Sequence, residues 1–174
     1  MEEKLKQIRL ALFARRNGVV ADALRAAGDP HKLIMGCPLS DIIAVAHEQV
    51  PSVELAEALW ADTKHRECRL LAPMLYPIET CDETTALRWC HEVQTKEEAD
   101  VLCHRLLRYL DCAIAVMETL LKEPNPMLRY TAFRLMLNLV MLNRFELNDA
   151  MRQLIKQEID LSHSTSMQQL LNCR

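Results

Sequence analysis

Residues 53–77, VELAEALWADTKHRECRLLAPMLYP, open with an amphipathic run that ends on Ala58-Leu59-Trp60, turns, and resumes after Thr63. The arrangement returns about thirty residues later, where Ala86-Leu87-Arg88-Trp89 is followed by Thr95. A weaker third copy runs Thr119-Leu120-Leu121 followed by Asn125. Each copy closes one helix on a bulky apolar residue and starts the next at a residue suited to capping free backbone N–H groups. A helix pair of this length cannot bury its apolar face alone. Neighbouring pairs are therefore expected to stack into an all-α solenoid with a continuous core. Such stacks bind large partners along a surface.

Outward from this stretch the pattern stays helical. The chain has 174 residues, half of them apolar, and only three glycines, all at or before Gly36. That is enough material for one core, and a single domain over 1–174 is expected. Helices are expected over 2–16, with Leu5, Ile8 and Leu12 on one stripe, and over 19–27. The piece from Gly28 to Pro38 reads as the longest irregular segment. Ser40, Ser52, Thr63, Asp82, Thr95, Asp111 and Asn148 mark helix starts, and Thr95 with Glu98 forms a capping box for a helix to Tyr109. Residues 127–143 form a long apolar helix after the stiff Pro124-Asn125-Pro126. A polar joint at 162–166 precedes a short final helix ending in Leu170-Leu171. No strand or low-complexity linker is expected.

No apolar run approaches the ~20 residues of a membrane span. The N-terminal MEEKLKQIRLALFARR lacks the apolar block of a secretion signal. Seven cysteines, odd in number and without Cys-x-x-Cys, read as reduced, buried thiols. A cytoplasmic protein without membrane contact is expected. Cys90-His91 and Cys103-His104 are poor metal ligands, because adjacent helical residues point about 100° apart. No metal and no cofactor are expected. Phosphate-cradling loops, Gly-x-Ser-x-Gly, His-Glu-x-x-His and dinucleotide fingerprints are all missing.

Charge is unevenly placed. The net is −3, but residues 1–36 carry seven Lys/Arg against four Asp/Glu, residues 37–123 eight against sixteen, and residues 124–174 six against four. A nucleic-acid footprint must therefore be built from the two ends, with the acidic middle turned away. Lys4, Lys6, Arg9, Arg15, Arg16 and Lys32 supply cations at one end. Arg129 and Arg134 supply them at the other.

Three segments, HKLIMGCPLSDIIAVAHE (31–48), ELAEALWADTKHRECRLLAPMLYP (54–77) and NPMLRYTAFRLMLNL (125–139), resemble in content and order the DNA alkylation repair enzymes of the alkylpurine glycosylase type. The resemblance covers most of residues 1–142 and is nearest to a short bacterial branch. It implies HEAT-like repeats of antiparallel helix pairs. It also implies duplex DNA gripped on a concave face, and excision of cationic N3- or N7-alkylated purines. In that family a carboxylate and two tryptophans surround the deoxyribose, where positive charge builds as the glycosidic bond breaks. The carboxylate falls on Asp100 in TKEEADVLCHRLL (95–107). The tryptophan one turn earlier falls on Lys96. A backbone-contacting arginine falls on Arg129, with Tyr130 where the family often shows a second arginine. The later tryptophan has no counterpart, since nothing after Phe145 is aromatic. Asp100 is thus the expected catalytic residue, with Lys32, Arg129 and Arg134 as nucleic-acid contacts. The alternative is a non-catalytic HEAT-like scaffold for a protein partner, which the acidic middle and the missing tryptophans favour.

Overall fold

The computed structural model describes residues 1–162, so all but the first residue of the expected joint at 162–166, and the whole of the last short helix, lie outside the described residues. Among these, ten α-helices and two 3-10 turns account for the regular structure, and the only β-type pairing is an isolated bridge between Leu33 and His65. Among the described residues no helix is long and apolar enough to cross a membrane. The chain divides into two compact units, Met1–Cys81 and Asp82–Arg174.

In the first unit lie α1 (Glu2–Ala14), α2 (Gly18–Ala26), α3 (Leu39–His47), α4 (Val53–Trp60) and α5 (Arg66–Leu75). The α4–α5 pair is the most closely packed, with α3 on α5 and α1 on both α3 and α4. Leu12, Ile42, Leu55, Leu59, Trp60 and Leu71 fill the core. Burying a side chain of this size contributes about 1.5–3 kcal/mol. The Ser52 side chain accepts the Leu55 N–H at 3.2 Å, the cap read from sequence.

Three starts differ from expectation. The one assigned to Asp111 falls at Ala113, after a turn in which Ala113 N–H donates to Leu110 O at 3.2 Å, and the other two lie in this unit. The helix assigned to Thr63 begins at Arg66. Leu33 N–H donates to Lys64 O at 2.9 Å and Arg66 N–H donates to Leu33 O at 3.2 Å, which holds His65 extended against residue 33. Ser40 is inside α3 and caps nothing, because the helix starts at Leu39 directly after Pro38, whose φ of −59° suits a helix entry.

Helix α5 buries nine of its ten residues, including Arg66, Glu67 and Arg69. Each buried charge is satisfied, as burial demands. Arg69 donates to Trp60 O at 2.5 Å, and its guanidinium lies 3.5 Å from the centre of the Trp60 ring. The fully buried Glu67 carboxylate accepts N–H groups from Met35, Gly36 and Cys37 and pairs with Arg66. It therefore anchors the irregular segment before α3 to the helix core.

The second unit holds α6 (Glu83–His91), α7 (Lys96–Arg105), α8 (Ala113–Leu121), α9 (Pro126–Met141) and α10 (Asp149–Ser162). Helix α9 packs along both α7 and α8, and α6 lies on α8. Asp82, Thr95, Asn125 and Asn148 cap as side-chain acceptors. Glu98 reaches back to the Gln94 N–H at 2.8 Å, so its half of the capping box satisfies the residue before the cap. The helix expected to run to Tyr109 stops at Arg105. Leu106 leaves helical geometry (φ −126°, ψ −67°), and Leu107–Tyr109 form a 3-10 turn. The Arg144 guanidinium donates to the carbonyls of Arg108 and Leu110 freed by that break. Trp89 is fully buried and, like Trp60, belongs to the core.

Candidate functional site

Asp100 sits one turn into α7, and α9 sets two partners beside it. Tyr130 Oη–H donates to Asp100 Oδ1 at 2.8 Å. Arg134 Nε lies 3.1 Å from the same oxygen as an ion pair, although out of line for a hydrogen bond. Tyr130 and Arg134 are four residues apart, so they project from one face of α9. Their packing follows from α9 itself, whose Phe133, Leu135 and Met136 are buried and fix its rotation against α7. Asp100 keeps 36% of its side chain exposed, which leaves one edge of the carboxylate for a substrate.

Burial pushes the Asp100 carboxyl above its ordinary value, and the Tyr130 hydrogen bond and the Arg134 charge oppose that rise without cancelling it. Lys96, at the position of the family's tryptophan, is exposed, and its Nζ stands 5.2 Å from the centre of the Tyr130 ring. Lys96, Tyr130, Asp100 and Arg134 thus form one polar cluster. Tyr130 was missed by sequence reasoning as a site residue. The signal was the tyrosine standing where the family shows a second arginine.

Arg129 faces elsewhere. Its Nε and Nη2 donate to Glu158 Oε2 at 3.2 and 2.6 Å, and Nη1 donates to Leu121 O at 3.1 Å. It joins α9 to α10 and to the end of α8. A phosphate contact would require it to exchange Glu158 for the ligand. Lys32 is exposed in the first unit, between the buried His31 and the half-exposed Leu33. Within the second unit the structure therefore gathers Asp100 and Arg134 and leaves Arg129 outside their cluster, while Lys32 belongs to the first unit.

Asp62, His65 and Cys68 bring a carboxylate oxygen, a ring nitrogen and a thiol within 4.8 Å of one another. An arginine already serves them as cation. Arg9 donates through Nε and Nη2 to Asp62 Oδ2 at 3.2 and 2.5 Å. Burial would raise the Asp62 carboxyl, but hydrogen bonds from His65 and Arg9 outweigh it and hold the group below its ordinary value. Burial also pushes the Cys68 thiol up to about 12.

The stacked helix pairs define a helical-repeat protein. A solved structure described as "A new family of proteins related to the HEAT-like repeat DNA glycosylases with affinity for branched DNA structures" superposes with a TM-score of 0.74. It is 15% identical and covers 93% of this chain and 72% of that one. The fold is therefore HEAT-like. Residues 8–165 match the family of DNA alkylation repair enzymes, and the chain belongs to that family. No curated protein matches the chain.

Proposed function

We propose that this protein binds duplex DNA and releases N3- or N7-alkylated purines, with Asp100 as the group that stabilises charge on the deoxyribose. The observation that carries the reading is the half-exposed Asp100 carboxylate held between Tyr130 and Arg134. As the bond from C1′ to the alkylated base breaks, its electron pair leaves with the base. The cationic base becomes neutral and the sugar takes up the positive charge. A fixed carboxylate beside C1′ lowers the energy of that state, and water then adds to C1′ and loses a proton. The leaving group is already cationic, so no strong general acid is needed. Without a tryptophan beside it, Asp100 works in a wetter site than the family pattern provides, and slow release is expected.

The test is single-turnover release of 7-methylguanine from a duplex by the wild type and by Asp100→Asn. The wild type should exceed the spontaneous rate, and the variant should lose about 10²-fold. A wild-type rate equal to the spontaneous one overturns the reading. The ionised carboxylate is the active form, so the rate should fall as pH drops through a value above that of an ordinary aspartate. Tyr130→Phe removes a bond that favours the anion and should move this acid limb to higher pH. A limb that stays in place would mean the carboxylate is not the titrating group.

Lys32 and Arg134 are assigned to phosphates, with Arg129 joining them on release from Glu158. Lys32→Gln should weaken duplex binding uniformly across sequences and reduce the salt slope by about one ion. The affinity for branched DNA described for the similar structure makes a four-way junction the second probe of this assay. A second reading, a scaffold for a protein partner, draws on the engagement of Arg129 by Glu158. It predicts no DNA retention on either probe.

A further inference from the structure

A pocket lies wholly in the first unit, at the mouth formed by α1, α2 and the segment preceding α3. Its volume is about 420 Å³, within the range of small-molecule sites. Leu33 and Met35 supply apolar wall, while Phe13, Arg16, Arg25 and His65 supply ring faces and cationic or donor groups.

The polar groups are set in place by their neighbours. His65 Nδ1 is tied to Asp62 Oδ1 at 2.9 Å, and Asp62 is itself held by the paired donors of Arg9. That leaves Nε2 as the imidazole edge open to a ligand. Arg25 donates to Ile34 O at 3.0 Å and to Asp22 at 2.8 Å, which fixes its guanidinium against the wall. Arg16 lies with its guanidinium 4.2 Å from the centre of the Phe13 ring and donates to Phe13 O at 3.2 Å. Among the described residues, no carboxylate pairs with Arg16.

Chemistry narrows the occupant. A bare anion would satisfy Arg16 but leave the apolar wall in contact with water. An apolar ligand would cover the wall and strip water from an unpaired guanidinium, at a cost of several kcal/mol. A flat ring bearing one anionic group satisfies both. Arginine forks match phosphate oxygens in bidentate fashion and also stack on planar rings. We propose that this pocket binds one nucleoside monophosphate unit. Its phosphate meets Arg16, a donor group of the nucleoside meets the Nε2 acceptor of His65, and its base lies against Leu33 and Met35. The unit is either a free nucleotide or the 5′-phosphorylated end of a DNA strand. The site is separate from the Asp100 cluster and does not depend on that cluster being catalytic.

Titration calorimetry with dGMP, deoxyguanosine and inorganic phosphate tests the assignment on the full chain. dGMP should bind at one site, with the nucleoside and the phosphate at least about tenfold weaker. Arg16 and Phe13 are exposed, so Arg16→Gln and Phe13→Ala should leave the circular dichroism unchanged. Each should weaken dGMP binding at least about fivefold. A 5′-phosphorylated oligonucleotide that displaces dGMP, where its 5′-hydroxyl twin does not, identifies the strand end as the natural source. Failure to displace identifies the free nucleotide. No saturable binding of dGMP or of the phosphorylated end overturns the proposal, as does binding that is equal in both variants.

Discussion

Glu67→Ala is expected to destabilise the protein by about 3–5 kcal/mol, the cost of removing one partner from a buried charge pair. Glu67 is 0% exposed, and its carboxylate gathers four donors from two places. Its Oε1 accepts Gly36 N–H at 2.8 Å, Met35 N–H at 3.1 Å and Cys37 N–H at 3.3 Å, and Arg66 Nη1 at 2.9 Å. Truncation leaves three backbone N–H groups without their acceptor and away from water, and takes the paired carboxylate from Arg66. A domain of this size is stable by only about 5–15 kcal/mol in total. Urea unfolding should therefore show a large drop in midpoint with little change in slope. Glu67→Gln keeps one acceptor oxygen and should recover part of the loss. A midpoint shift below about 1 kcal/mol in the alanine variant would mean that the segment holds itself in place without the carboxylate.

Gly36→Ala should cost a similar amount for a different reason. Gly36 has φ +75°, and a Cβ there would stand 2.2 Å from Asn17 O and 2.6 Å from Ala21 N. Both are backbone atoms and cannot swing aside. Left-handed geometry adds about 1–2 kcal/mol and forced overpacking about 1–3 kcal/mol, so about 2–5 kcal/mol is expected. Gly28 is the internal control. It has φ +86° but open space around it, so Gly28→Ala should lose only the left-handed part. Thermal or urea unfolding of the two variants separates strain from collision. Equal losses would show that the close approach of α2 to residue 36 relaxes freely.

Which features were readable from sequence follows from the range of the interactions. Ser52, Asp82, Thr95 and Asn125 each cap a helix two or three residues away, and a cap is a local event. The repeat landmarks Trp60 and Trp89 are both core, as their recurrence at one repeat position implies. Thr63 failed as a helix start because Leu33, thirty residues earlier, holds His65 extended. The clamp of Glu67 on 35–37 spans the same kind of distance and left no pattern. Asp100 stood out through family resemblance, and its link to Tyr130 depends on how α7 meets α9. The Glu158 contact of Arg129 likewise needs α10 in place, so an arginine read as a phosphate contact carries an acidic partner.

The buried thiols have a chemical consequence for a member of an alkylation repair family. Burial raises Cys37 to about 11 and Cys68 to about 12, and lifts Cys103 well above the usual thiol range. Electrophiles that methylate purine nitrogens also attack sulfur, but they react with the thiolate far faster than with the thiol. Each unit of added pKa cuts the thiolate fraction at neutral pH about tenfold. These core cysteines are therefore expected to react with the reagents whose damage the family repairs far more slowly than an exposed thiol does, so that the fold spares its own sulfur while DNA in the same solution is being methylated.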